Sequence, residues 1–220
     1  FTDGNQLRPS VSTNEKGNHL IAWYGLGAEG NGIYARKFRF DGNSNAGSEF
    51  RIPISDNLLS INPSVVLRND DTFVLVWQGL RISSDENLEG TIVESTLNIQ
   101  DSVQSEMDIG IESFEADAVI RDGFRVFVQV YDGDEGLSYA SQVSSQDLGE
   151  QLYPVVSAFP DGSFVVAWQQ QVPCLDIEDI ACKSLVKARI YDRNGTPKTN
   201  PFQISTIPGE NFSRPSIVSL

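Results

Sequence analysis

The sequence predicts an all-β fold made of β-propeller-type blades, each a sheet of four short antiparallel strands. Three observations point there. Two sets of landmarks recur along the chain in the same register. The apolar runs are short and bounded by turn residues. No window carries apolar residues at i, i+3, i+4 and i+7 over three turns, so essentially no α-helix is expected. With 220 residues, 40% of them hydrophobic and 10% aromatic, the chain can bury a sizeable core.

The first landmark is a Pro-x-Val-like start. It reads Arg8-Pro9-Ser10-Val11, Asn62-Pro63-Ser64-Val65, Ala116-Asp117-Ala118-Val119, Tyr153-Pro154-Val155-Val156 and Arg214-Pro215-Ser216-Ile217. The second is an apolar run ending in an aromatic: Leu20-Ile21-Ala22-Trp23, Val74-Leu75-Val76-Trp77, Val128-Gln129-Val130-Tyr131 and Val165-Val166-Ala167-Trp168. Trp23 and Trp77 stand 54 residues apart, Trp77 and Tyr131 again 54, and Tyr131 and Trp168 37. Pro9, Pro63, Asp117 and Pro154 repeat those spacings. Agreement between two landmarks is the signature of a repeat. It divides the chain into residues 1–61, 62–115, 116–152 and 153–213, with 214–220 opening a fifth repeat, so about four repeats are expected within a fragment of a larger protein.

Within a repeat, strand a carries the Pro-x-Val. A turn such as Asn69-Asp70-Asp71 or Asp161-Gly162 follows, rich in residues that tolerate tight backbone, and strand b is the apolar run. Strand c is expected at Ile33–Phe38, Ile92–Leu97, Ser138–Val143 and Val186–Tyr191. Turns such as Asp41-Gly42-Asn43 and Arg193-Asn194-Gly195 lead to strand d, at Glu49–Ile52 and Pro201–Ile204. Only ten residues separate Val143 from Pro154, so the third repeat has lost its strand d. Strand b distinguishes blades from a one-sided sandwich. Phe164, Val166 and Trp168 face one way, Val165 and Ala167 the other, and both faces are apolar, as for a strand between neighbouring sheets. A sandwich array or β-solenoid is the alternative.

These residues resemble the repeat arrays of large secreted and cell-surface proteins, many of them bacterial. Those arrays read roughly Pro-x-Val, then Asp-Gly-Gly-Phe-Val-Val-x-Trp-Gln, then Gly-Ile-Tyr-x-Gln-Arg-Phe-Asp, then Gly-x-Glu-Phe-x-Val-Asn. Here Asp161–Gln169 resembles the second piece, Gly32–Phe38 the third and Gly47–Ile52 the fourth. The resemblance implies an extracellular, propeller-like scaffold, often beside adhesive or calcium-binding modules, and it brings no catalytic residues.

A net charge of −14 and a pI near 4.4 exclude nucleic acid, whose phosphates need a basic stripe, and no apolar run is long enough to insert in a membrane. Cys174 and Cys182, close together in a polar stretch, are expected to form a loop-closing disulfide, which implies an oxidising compartment. Asn194-Gly195-Thr196 and Asn211-Phe212-Ser213 are N-glycosylation triplets at Asn194 and Asn211. Gly25–Gly30 spells a dinucleotide-binding fingerprint, but a strand follows it where that motif needs a helix. His19, the only histidine, takes the place that Phe73, Phe127 and Phe164 hold in the other repeats, a packing position.

Binding residues are expected on the b–c loops, which leave one end of the blades and vary most. They carry Glu29; Asp85, Glu86 and Glu89; Asp132, Asp134 and Glu135; and Asp176, Glu178 and Asp179. Asp132, Asp134 and Glu135 form the segment most like a calcium loop, so calcium is the one candidate cofactor. With no catalytic constellation apparent, the expected function is a non-enzymatic extracellular scaffold for cell-surface, adhesive or filament assembly through protein contacts. A lectin-like glycan-binding propeller is the alternative, and a sialidase-type glycan hydrolase is third.

Overall fold

The computed structural model describes residues 6–27, 30–40, 47–54, 58–83, 119–120, 123–132, 135–136, 139–144, 149–171, 184–205 and 214–218. Among these it contains strands and no helix. The strands are β1 (Gln6–Thr13), β2 (His19–Gly27), β3 (Gly30–Phe38), β4 (Phe50–Arg51), β5 (Leu58–Leu67), β6 (Thr72–Ser83), β7 (Val119–Ile120), β8 (Arg125–Asp132), β9 (Glu135–Gly136), β10 (Ser141–Gln142), β11 (Gln151–Ala158), β12 (Phe164–Gln171), β13 (Ser184–Tyr191) and β14 (Phe202–Gln203). They form three antiparallel sheets: β1-β2-β3-β4, then β5-β6-β8-β10 with β7 and β9 paired at its margins, then β11-β12-β13-β14. The expected blades of four antiparallel strands are therefore present.

The described residues form three sheets where the sequence spacing suggested about four repeats. Strand b of the second repeat pairs along its length with strand b of the third, from Thr72 opposite Asp132 to Gly79 opposite Arg125. Segments 62–115 and 116–152 thus contribute to one sheet, in which β8 takes the place of strand c. The cause is physical. Both inner strands of a blade are apolar on both faces, so strand c of one blade reads like strand b of another. Tyr131 is consequently the counterpart of Tyr191 rather than of the tryptophans: Phe73 opposes Tyr131 and Phe164 opposes Tyr191. Each pair stacks, at centroid distances of 5.1 and 5.0 Å. Phe127 opposes Trp77 and stacks on it at 5.8 Å.

The Pro-x-Val start is a β-bulge. Arg8, Asn62 and Tyr153, each just before its proline, have φ of 55°, 51° and 50°, and the pairing slips there in β1, β5 and β11. A proline has no N–H to give a ladder, so it fits where pairing is interrupted. Arg214, before Pro215, repeats the conformation with φ 50°, and its guanidinium lies 4.9 Å from the centre of the Tyr153 ring.

The three a–b turns share one geometry. Asn14, Arg68 and Phe159 each accept a hydrogen bond from the residue three ahead, at 2.9, 3.0 and 2.9 Å. Each also donates its own N–H to the carbonyl four ahead, at 3.0, 2.8 and 2.7 Å. This is the three-residue hairpin with a left-handed closing residue. Gly17 and Gly162 close two of these turns with φ of 77° and 82°; Asp71 closes the third at 66°. The β13–β14 turn repeats it over Asp192–Thr196.

Packing between sheets follows a directional rule. The first sheet sends Leu20, Ala22, Ile33 and Ala35 onto Phe73, Trp77, Phe127 and Tyr131 of the second. The second sends Val74, Val76, Val126, Val128 and Val130 onto Phe164, Trp168 and Tyr191 of the third. The forward faces are aliphatic at both interfaces, and the large aromatic side chains lie on the backward faces, among Val65, Leu67 and Leu75 in the second sheet and Val156 and Val166 in the third. Trp77 and Trp168 are fully buried, and burying side chains of this size supplies roughly 2–3 kcal/mol each.

Candidate functional site

Most residues expected on the b–c loops, namely Glu29, Asp85, Glu86, Glu89, Asp134, Asp176, Glu178 and Asp179, lie outside the described residues, as do Cys174, Cys182 and Asn211. Glu135 is described only through its backbone in β9. Asp132 is exposed at the end of β8, opposite Thr72. That places it at the a–b turn end of the sheet, away from the b–c connections. Among the described residues no three His, Cys, Asp or Glu side chains gather closely enough to hold a metal ion. Asn194 is exposed in the β13–β14 turn. His19 opens β2 opposite Phe38, partly exposed, and its Nδ1 lies 2.7 Å from Thr13 Oγ1.

The structure draws attention to the turn end instead. The turns after β1, β5 and β11 and the β13–β14 turn meet there around a cavity of about 360 Å³. Its walls include Thr13, Val66, Leu67 and Ala158; Arg68, Asp70, Phe159, Asp161 and Arg193 supply its chemistry. The equal length of the hairpin loops causes this convergence, because every turn reaches the same height above its sheet.

Side-chain bonds lace the turns together. Asn14, buried, donates from Nδ2 to Arg68 O at 3.2 Å and to Asp71 Oδ1 at 2.9 Å, while its Oδ1 accepts the amides of Lys16 and Asn18. The Glu15 amide donates to Asn69 Oδ1 at 3.0 Å. Lys37 Nζ reaches Asp71 O at 2.9 Å. On the other side Arg68 Nη1 donates to the carbonyls of Gly162 and Arg193 at 3.1 and 2.6 Å. Arg193 Nη2 pairs with Asp70 Oδ2 at 2.6 Å.

Charge is layered across the cavity. Arg68 is only 6% exposed; Asp70, Asp161 and Arg193 at the mouth are exposed. Burial pulls the Arg68 guanidinium down from its usual range; Asp70 pushes it back up and Arg193 adds to the lowering. Partial burial alone would raise Asp70, but the hydroxyl and amide of Thr72, at 2.5 and 3.1 Å, and the guanidiniums of Arg68 and Arg193 outweigh it and hold the carboxyl low. Asp161 is held low chiefly by the hydroxyl and amide of Ser163, at 2.5 and 2.9 Å. Two carboxylates that stay ionised and two guanidiniums can accept and donate hydrogen bonds around a ligand whose apolar face meets the Phe159 ring, 41% exposed.

In the sequence Asn69-Asp70-Asp71 and Asp161-Gly162 read only as turns, and Arg68 carries no reading. A signal was present. Asn14 and Phe159 begin the other two a–b turns, so a long cationic side chain at Arg68 is the odd member of an aligned set.

No protein-family model and no curated protein matches this chain. Solved structures do resemble it. An α-L-arabinofuranosidase from Lactobacillus brevis aligns over 92% of this chain with a TM-score of 0.46 at 13% identity; this chain spans 54% of that enzyme. An α-L-arabinofuranosidase from Podospora anserina, solved with cellotriose, aligns over 89% of this chain and 67% of its own length, with a TM-score of 0.30 at 12% identity. A GH62 hydrolase solved with xylotriose aligns over 88% of this chain and 68% of its own, with a TM-score of 0.27 at 10% identity. All three carry the names of hydrolases. On this finding the expectation of a non-enzymatic scaffold, and of a protein without enzymatic activity, is corrected. At these identities the likeness concerns the fold and assigns no activity to this chain.

Proposed function

We propose that this chain recognises carbohydrate, and that the cavity at the turn end is its binding site. The cavity itself carries the reading. Its volume falls within the roughly 300–1,000 Å³ of ligand pockets, and its lining sets hydrogen-bond acceptors and donors beside an aromatic ring. A sugar ring presents that combination in reverse: hydroxyls that donate and accept around the rim, and an apolar C–H face. The alternatives fit less well. An apolar ligand would strip water from Asp70, Asp161 and two guanidiniums without replacing it, and a polyphosphate would meet two ionised carboxylates at the mouth.

Asp70 and Asp161 are the hydroxyl acceptors in this reading, Arg68 and Arg193 the donors, and Phe159 with Pro160 the platform beneath the ring. Glycan on a cell surface or in secreted polysaccharide is the corresponding partner, consistent with the extracellular setting expected from the sequence. A glycan array followed by calorimetric titration tests the proposal. Retention of a defined glycan, weakened about tenfold by Phe159→Ala and by Asp161→Asn, supports it. Absence of binding across the array, or binding indifferent to both substitutions, overturns it. Assaying released reducing sugar on the retained glycan reads in the same experiment whether binding leads to cleavage.

A further inference from the structure

We infer that the sugar taken by this cavity carries a carboxylate, a uronate, whose acid group meets the guanidinium of Arg68. The inference rests on the carbohydrate reading above and deepens it. Arg68 is the most deeply placed charged side chain of the cavity, 6% exposed, and its hydrogen-bonding capacity is mostly unused. Nη1 serves two carbonyls. Nε is buried without a partner, and among the described residues Nη2 makes no hydrogen bond either. Nε is closed off from a ligand as well as from the protein, so Nη2 is the donor left to reach one, and a bond from it to a carboxylate oxygen is roughly twice as strong as one to a neutral hydroxyl.

Among the described residues no carboxylate pairs directly with Arg68. Asp70 is the nearest acid acting on Arg68, yet its Oδ2 is held by Arg193 and its Oδ1 by Thr72. A buried cation with no direct counter-ion is costly unless a ligand supplies one. The layering sets the orientation. A ligand with its carboxylate at the floor and its hydroxyls at the mouth meets Arg68 below and the ionised Asp70 and Asp161 above. An anion bearing charge all round, such as phosphate, would set part of its charge against those acids. The net charge of −14 does not decide the matter, because at physiological salt charges beyond roughly 8 Å are largely screened.

The experiment compares pairs of probes that differ only at that group: galacturonate with galactose and glucuronate with glucose, with acetate as the bare carboxylate. Each is titrated calorimetrically into the whole chain, and into the Arg68→Lys and Phe159→Ala variants, with circular dichroism confirming the fold. The lysine variant keeps the charge, but one ammonium cannot stand both at the Gly162 and Arg193 carbonyls and at the ligand. The expected result is a uronate preferred about tenfold or more over its neutral partner, weakened by added salt, and lost in Arg68→Lys. Acetate should bind more weakly than the uronates. If the neutral sugars bind as well as the uronates, this inference fails while the carbohydrate reading stands. If acetate binds as well as the uronates, the site is a carboxylate site and both fail. If no sugar binds, the carbohydrate reading itself has failed. Should Arg68→Lys not fold, the uronate-to-neutral ratio in the unaltered chain still decides.

Discussion

Among the described residues, acids at the turn end of the sheets and Glu150 at the other end shift in opposite directions. At the turn end Asp70, Asp71 and Asp161 are all held below the usual carboxylate range. Desolvation pushes Asp70 and Asp71 up, but Thr72, Asn14, Asn18, Lys16 and the neighbouring guanidiniums pull them further down. At the opposite end Glu150, in the connection from β10 to β11, is raised, because burial outweighs the Phe124 backbone and Arg125. Identical hairpins meet at the turn end and give its acids many donors. The other end joins strands through connections that differ in length, and Glu150 there has few partners. Partners rather than burial alone set the state of an acid.

Arg68→Ala is the largest way to break this contrast. It removes the donor to Gly162 O and Arg193 O and unties the second sheet's turn from the third's. A loss of about 3 kcal/mol is expected, read from urea unfolding. A loss under about 1 kcal/mol would show that the turns converge without that tie. Gly162→Ala comes next. A methyl there meets nothing closer than 3.4 Å, so its cost is that of the left-handed backbone, about 1–2 kcal/mol. A neutral result in the same unfolding assay would mean the turn relaxes. A double-mutant cycle on Asn14→Ala and Asp71→Ala should give a coupling of about 1 kcal/mol, since Asp71 Oδ1 accepts from both Asn14 and Asn18.

The pH dependence is smallest in size but separates the ends by sign. Asp70 and Asp71 are lowered on folding, so their contribution is complete above the unfolded value near 3.9 and lost as pH falls through their folded values. Glu150 is raised, so its effect runs the other way: stability is greatest below the unfolded value near 4.3 and declines as pH rises through the folded one. Glu150→Gln should therefore stabilise the protein at neutral pH and have no effect in acid, whereas Asp71→Asn should blunt the acid-side loss. Thermal melts of both variants across pH check this. A parallel shift of both curves would erase the distinction between the ends.

Much of the blade was readable from the chain. The tryptophans and Pro-x-Val starts marked strands that do form, and Asp161-Gly162 marked a real hairpin. The spacing between Trp77 and Tyr131 misled, because β8 is buried on both faces and nothing local distinguishes a second inner strand from a third. Which end holds the cavity was not readable either. Arg68 and Arg193 are 125 residues apart in sequence, and only the stacking of sheets brings the Arg68 guanidinium to the Arg193 carbonyl. The acids of the variable loops were conspicuous by composition. The turn acids were hidden by looking like ordinary turn chemistry, and their role depends on three hairpins ending at one height.

The forward-aliphatic, backward-aromatic packing has a consequence for ancestry. A unit whose two sides are complementary carries both halves of its own joint. Copying one whole unit in tandem therefore supplies matched contacts on either side without any compensating change, while copying half of one does not. Lineages built on such a unit can lengthen or shorten by whole units, and each hairpin row is left free to diverge in what it grips.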